Sequence, residues 1–369
     1  MKRILKWTVR ALLLALLMGV LAGFIAYWRS TNECYRKTGA PANLMKAIVH
    51  CEYGGPEILG LADVEKPVPS DNQVLVRVRA AALNPLDLMI RGFWLLRPVT
   101  GMRKPKDTRV GVDYAGTVEA IGKNVTQLKV GDEVFGGKNG ALADYICVLA
   151  DRAVVLKPAN MTFEQAASVP VAALTALQGL RDKGKIKAGQ KVLVNGASGG
   201  VGTFAVQIAK AFGAEVTGVC STRNLELVRS IGADHVIDYT KQDFTQTDQR
   251  YDLIYDLVGN HSFSERRRIL TQNGICVMAG AGGAGWHDES ASRLLGEVKA
   301  YVGSWFVSQK FITYLASMNA ADLVVLANLM RDGKVTPVID KTYKFSEVPS
   351  ALAYLETGHA RGKVVITVQ

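Results

Sequence analysis

The chain has 369 residues, 49% of them hydrophobic and 21% charged, with 44 Lys and Arg against 33 Asp and Glu for a formal net charge of +11. That length accommodates two ordinary domains with full cores, and the composition excludes disorder over most of the sequence. The charge does not signal nucleic acid, because the first 44 residues hold seven Lys/Arg and one acid and the remainder carries no basic run or aromatic-interleaved patch.

In chain order, the first element is an apolar run. Ala11 to Trp28 is uncharged, and as a helix rising about 1.5 Å per residue it nearly crosses a ~30 Å hydrocarbon core. Lys2, Arg3, Lys6 and Arg10 precede it, Arg29, Arg36 and Lys37 follow, and Trp7, Tyr27 and Trp28 stand where interfacial aromatics belong. The run therefore predicts a single transmembrane helix; a cleaved or organellar targeting segment is the rival, and Met45 offers an alternative start for a soluble form. Residues 29 to 44 form a polar tether. The cysteines Cys34, Cys51, Cys147, Cys220 and Cys276 are scattered, never as C-x-x-C, and suggest no disulfide framework.

From Met45 the pattern becomes that of a folded domain. Met45 to Val49, Val74 to Ala80, Gly116 to Gly122, Glu133 to Phe135 and Ala143 to Val148 alternate or run apolar between Gly and Asp turns. They predict a largely antiparallel, barrel-like first domain. Helical spacing begins near Phe163 and runs through Ala172 to Leu180, and from Lys191 strands and helices alternate. Strands are expected at Val192 to Val194, Glu215 to Val219, His235 to Ile237, Tyr251 to Tyr255 and Gly274 to Ala279, with a helix from Asn224 to Ile231 stopped by Gly232. This is a doubly wound α/β pattern, whose ligand belongs beyond the carboxyl ends of the strands. A helix from Ser346 to Glu356, with Ser346 as a suitable cap, and a strand from Lys363 to Val368 complete the chain.

The strand Val192 to Val194 breaks into Asn195-Gly196-Ala197-Ser198-Gly199-Gly200-Val201-Gly202 before a helix. Ala197, Gly199 and Gly202 occupy the positions of G-x-G-x-x-G, and the next strand ends about twenty residues on, the context a dinucleotide turn requires. The glycines let the backbone approach a pyrophosphate, and the helix start supplies N–H donors. At the end of the second strand stand Cys220-Ser221-Thr222-Arg223. Hydroxyls and a guanidinium suit a 2′-phosphate, whereas a carboxylate would suit free ribose hydroxyls, so NADPH is preferred to NADH as the cofactor.

Over residues 45 to 369 the chain resembles the zinc-independent quinone oxidoreductase branch of the medium-chain dehydrogenase/reductase superfamily, and is similar to its reticulon-interacting mitochondrial members. The resemblance rests on Met45 to Val49 with Tyr53-Gly54-Gly55-Pro56-Glu57, Ala82-Leu83-Asn84-Pro85-Leu86-Asp87, Gly111-Val112-Asp113-Tyr114-Ala115-Gly116, Lys129 to Phe135, Ser168 to Ala176, the glycine turn, Ile231 to Asp234 and Gly358 to Lys363. It implies a GroES-like, mostly β catalytic domain at 45–169, a Rossmann NADPH-binding domain at 170–310 and a return to the catalytic domain at 311–369, after the 1–44 anchor and tether.

The resemblance also implies roles. Ser198, Gly199, Gly200 and Val201 would meet the pyrophosphate; Ser221, Arg223 and Tyr239 the adenosine phosphate; Thr175 the nicotinamide. Leu257, Gly280 and Phe306 would lie along the dinucleotide, with His359 and Arg361 closing over it. Asn84 would donate to the substrate carbonyl or the nicotinamide ribose, Tyr53 could give a proton, and Asp87 would hold the loop. Zinc-dependent relatives carry cysteine and histidine ligands where this chain reads Asn84 and Asp113, so no metal is expected. Without a Lewis acid the favoured reaction is reduction of a quinone or an α,β-unsaturated carbonyl by NADPH. The alternatives are an NAD(P)-dependent alcohol or aldehyde dehydrogenase and a non-catalytic NADPH-binding sensor. The expected partners are a small lipophilic substrate and, through the N-terminal helix, a membrane; a homodimer is left open and nucleic acid is not expected. Flanking charge weakly favours a cytoplasmic N-terminus, but the need for NADPH places the catalytic domain on the cytoplasmic face.

Overall fold

The structure is a computed structural model that describes residues 18–19, 21–25, 27–29, 34, 43–92, 97–279 and 303–368. Two large sheets and a two-stranded one organise it. The first domain opens with an antiparallel pair, β1 (Leu44–Val49) and β2 (Gly60–Glu65). Then come β3 (Gln73–Leu83), the short helix α1 (Arg97–Thr100), β4 (Asp113–Ile121), β5 (Glu133–Gly137), β6 (Tyr145–Leu149) and β7 (Val154–Leu156). Val74, Val76 and Val78 of β3 pack inward with Val118, Val134, Ile146 and Val148 from its neighbours, which is why these segments alternate.

The chain leaves this domain through α2 (Phe163–Ala167) and α3 (Pro170–Gln178) and builds a parallel sheet. Its elements are β8 (Lys191–Asn195), α4 (Gly200–Ala211), β9 (Glu215–Cys220), α5 (Leu225–Ser230), β10 (His235–Asp238), β11 (Tyr251–Asp256), α6 (Phe263–Arg268), β12 (Leu270–Met278) and β13 (Lys310–Thr313). The spatial order is β10-β9-β8-β11-β12-β13, every pair parallel. Chain order reverses between β8 and β11, the crevice where such sheets hold ligands. The apolar run Val192, Leu193 and Val194 is fully buried, as a central parallel strand requires.

After α7 (Ala320–Arg331) the chain returns to the first sheet with β14 (Ile339–Lys344), α8 (Val348–Glu356) and β15 (Lys363–Thr367). That sheet runs β14-β15-β3-β4-β5-β7, with β6 also on β3, and is antiparallel except for β14 against β15. The C-terminal strand thus completes the N-terminal domain.

Three expectations are corrected. The transmembrane helix, and the membrane localisation built on it, are not supported: no helix among the described residues is long and apolar enough to cross a membrane. A bilayer core needs about twenty apolar helical residues, and most of the expected span lies outside the described residues. Second, Cys34 and Cys51 form a disulfide with a Cα–Cα distance of 5.3 Å, a lone pair that cysteine spacing could not reveal; Cys147, Cys220 and Cys276 are free and buried. Third, Ser346 does not cap α8, because it lies inside a 3₁₀ turn (Phe345–Glu347) that precedes the helix.

Candidate functional site

The carboxyl ends of the parallel strands open into a cavity of about 730 Å³. Its walls are the residues that follow the strands: Gly196 after β8, Ser221 after β9, Leu257 after β11 and Ala279 after β12. Pro85 of the first domain and the loop Gly358 to Ala360 close the other side.

The glycine turn forms one wall. Gly196 has φ +87°, a left-handed conformation that an L side chain adopts with strain. A Cβ at Gly202 would stand 2.0 Å from the Gly196 carbonyl oxygen, so α4 can lie this close to β8 only without a side chain there. Gly199 is the N-cap of α4 and no side chain caps this helix, which leaves the first-turn N–H groups of Gly200 and Val201 uncapped in a stretch of cavity wall that also includes Ser198 and Gly199.

Opposite lies a polar end made of Ser221, Thr222, Arg223, Asn224, Tyr239 and Thr240. Arg223 is exposed and donates from Nη2 to the carbonyl of His359 at 2.9 Å, tying the parallel domain to the C-terminal loop. Tyr239 is 57% exposed, its ring free of the core. The acid at the end of β10, Asp238, accepts from the hydroxyls of Thr222 (2.6 Å) and Thr240 (2.7 Å). Asn224 is buried, its amide nitrogen 3.0 Å from Ser198 Oγ and 3.1 Å from Ser221 Oγ, while its Oδ1 is buried without a protein partner. A cradle that excludes Cβ atoms, an uncapped helix start and a guanidinium together fit a phosphorylated dinucleotide.

Beyond the turn a buried charged cluster joins the two domains. Lys363, 3% exposed, donates from Nζ to Asn84 Oδ1 at 2.6 Å and to Asp113 Oδ2 at 3.1 Å. Asn84 Nδ2 donates to Asp113 Oδ2 at 3.0 Å and, at 3.5 Å, to the Ala82 carbonyl. Asp113 Oδ1 accepts from the backbone of Val171 at the start of α3, 2.9 Å away. Asp87 Oδ2 accepts from the Asn84 backbone at 2.7 Å. Burial pushes the Asp87 carboxyl up to about 7; it also raises that of Asp113, with the Lys363 ammonium as the chief opposing influence. The Lys363 stem runs past the glycine turn, its Cδ 3.3 Å from where a Cβ on Gly200 would be.

The cavity thus brings together Ser198, Gly199, Gly200, Val201, Ser221, Arg223, Tyr239, Leu257 and His359. Other expected site residues stand apart from its wall. Thr175 is half-buried in α3, its hydroxyl donating to the Val171 carbonyl at 2.7 Å and its own carbonyl accepting from Tyr255 and Tyr314. Arg361 is exposed, its backbone N–H on Asp340 Oδ2. Asn84 has its amide spent on Lys363, Asp113 and Ala82, so it holds the cluster rather than pointing a donor at substrate. The Tyr53 hydroxyl lies 2.8 Å from the Gly101 carbonyl and 3.0 Å from Thr100 Oγ1, which occupies the proton it was expected to give. Gly280 and the Phe306 side chain lie outside the described residues. Asn224, Thr240, Asn195 and Asn260 also line the wall without a sequence signal that assigns them to it, and Lys363 has none that points to the buried cluster. Among the described residues no three His, Cys, Asp or Glu side chains converge as a metal would need.

Comparison with known proteins agrees with this architecture. The family model for the alcohol dehydrogenase GroES-like domain matches residues 70–159, and that for zinc-binding dehydrogenase matches 231–366. The chain is 36% identical over 338 residues to a 2-methylene-furan-3-one reductase of Solanum lycopersicum, covering 87% of this chain and 79% of that one. It is 35% identical over 337 residues to a chloroplastic NADPH-dependent alkenal/one oxidoreductase of Arabidopsis thaliana, with 87% and 79% covered. The structure of the quinone oxidoreductase from Coxiella burnetii superimposes with a TM-score of 0.75 at 31% identity, over 88% of this chain and all of that one. A GroES-like sheet completed by the C-terminal strand, a parallel Rossmann sheet and these matches place the chain in the medium-chain dehydrogenase/reductase superfamily, among its quinone and alkenal/one oxidoreductases.

Proposed function

We propose that this protein is an NADPH-dependent reductase whose acceptors are quinones or α,β-unsaturated carbonyls. The observation that carries the reading is the cavity at the strand ends, where an uncapped helix start faces Ser221, Arg223 and Tyr239 across a Cβ-excluding turn. The names of the similar reductases support the same chemistry.

Residues of the chain divide the work. The N–H groups at Gly200, Val201 and Gly202 and the Ser198 hydroxyl bind the pyrophosphate. Ser221, Arg223 and Tyr239 hold the 2′-phosphate, Arg223 by charge-assisted hydrogen bonds, while Leu257 and His359 flank the dinucleotide. When bound, NADPH supplies the hydride. Thr175, on α3, is assigned to the nicotinamide end, and Arg361 to the loop whose neighbour His359 covers the cavity. Lys363, Asp113, Asn84 and Asp87, all of the first domain, form a buried bonded cluster that Asp113 links to the start of α3 through Val171, and such a network tolerates little displacement. The substrate approaches on the side of Pro85, the residue of the first domain in the cavity wall. A site that positions the hydride donor against its acceptor suits acceptors that are already electrophilic, such as conjugated carbonyls and quinones.

Purified protein should oxidise NADPH steadily with quinones or alkenals, and with NADH more slowly. Oxidation of saturated alcohols by NADP⁺ as the principal activity would replace this reading with that of an alcohol dehydrogenase.

A further inference from the structure

Asn224 stands at the N-cap of α5, and Asn is among the residues preferred at such positions. Capping does not explain it, because its side chain makes no bond to the helix. The carboxamide is instead buried, 5% exposed, and bridges two serines from different loops. Ser198 belongs to the glycine turn after β8, and Ser221 to the segment after β9.

A serine hydroxyl has one hydrogen to give and two lone pairs to receive. Here each Oγ receives a hydrogen from the same amide group, at 3.0 Å for Ser198 and 3.1 Å for Ser221. Both serines line the cavity. With one lone pair of each oxygen used on the protein side, the hydroxyl hydrogens are directed to the other side, where the phosphates of a dinucleotide would lie. We infer that Asn224 is a specificity-determining positioning residue, which orients Ser198 and Ser221 as donors into the cavity and so favours the cofactor carrying a 2′-phosphate.

The inference rests on the NADPH reading and deepens it. An Asp at this position keeps the shape but can only accept. Both hydroxyl hydrogens would then turn toward the carboxylate and away from the ligand, and a negative charge would be added behind Ser221. The test is titration of NADPH and of NADH into purified protein, followed by the fluorescence of the bound nicotinamide, which requires no turnover. Asn224→Asp should lower the ratio of NADPH to NADH affinity by at least about tenfold, the size of a lost charge-assisted contact. In a Ser221→Ala background the same change should move the ratio by no more than about threefold, because the asparagine acts largely through that serine. Asn224→Ala, which removes the donors without adding charge, should lower the ratio by about threefold or more and serves as the readout if the Asp variant does not fold. An unchanged ratio in a folded variant, or equal effects with and without Ser221, would overturn the inference. Failure of the unmodified protein to bind NADPH would instead defeat the functional reading on which it rests.

Discussion

Replacing Lys363 with Met probes the joint between the two domains. Met keeps most of the stem that passes Gly200 and removes only the charged end, so packing changes little. What changes is the partner set: Asp113, fully buried, loses its counter-charge at 3.1 Å, and Asn84 Oδ1 loses a donor at 2.6 Å. Removing one member of a buried pair costs about 3–5 kcal/mol, and an orphaned amide oxygen about 1–3 kcal/mol. The two losses belong to one network and do not simply add, so a total of about 4 kcal/mol is expected, a large share of the stability of a typical domain. Guanidinium unfolding followed by circular dichroism reads this directly. The double variant Lys363→Met/Asp113→Asn, which leaves no unpaired charge, should recover about half of the loss. A loss below about 1 kcal/mol for Lys363→Met would refute the claim that these residues form a buried and mutually dependent cluster.

The cluster also makes stability depend on pH. Because burial holds the Asp87 carboxyl at about 7 against an ordinary 3.8, the folded protein binds this proton more tightly than the unfolded chain. The stability it brings is present at low pH and is lost as pH rises toward 7, by about 1.4 kcal/mol per unit within that window. Relative to Asp87→Asn, the unmodified protein should therefore lose about 2–3 kcal/mol between about pH 5 and about pH 7; parallel stability curves for the two proteins would contradict this. Gly202→Ala forces a Cβ to within 2.0 Å of the Gly196 oxygen and should weaken NADPH binding at least about tenfold, as measured by calorimetric titration; a change below about twofold would show that the turn does not shape the site. Arg223→Ala should raise the KM for NADPH about tenfold while leaving that for NADH nearly constant, and an equal rise for both would mean that Arg223 does not read the 2′-phosphate.

Where local pattern and final environment coincide, the sequence was a sufficient guide. Val192 to Val194 is apolar because it lies in the middle of a parallel sheet, and the glycines after it are forced by backbone approach and φ, so the dinucleotide turn was legible from the letters alone. That Ser221 and Arg223 would line the cavity was legible for a similar reason, since strand ends in this architecture border the crevice. Lys363 was not. A lysine opening an apolar strand reads as an exposed end, and only the fold brings it to Asn84 and Asp113, 279 and 250 residues away in sequence. The same network reverses the reading of Asn84, whose amide is spent on Asp113 and the Ala82 carbonyl, partners that only the fold supplies. Asn224 was legible as a helix start but not as a bridge, because the sequence does not show that its side chain turns from α5 to two serines. The edge strand β13 and the polar strand β14 carry too little apolar periodicity to be read before their neighbours are in place.

The central claim is hydride transfer from NADPH to an electrophilic acceptor rather than to an isolated carbonyl. The most direct measurement incubates the protein with C4-deuterated NADPH and an α,β-unsaturated ketone and locates the deuterium in the product by NMR. The account predicts deuterium at the β-carbon of a saturated ketone with the carbonyl intact; deuterium on the carbonyl carbon of an allylic alcohol would contradict it.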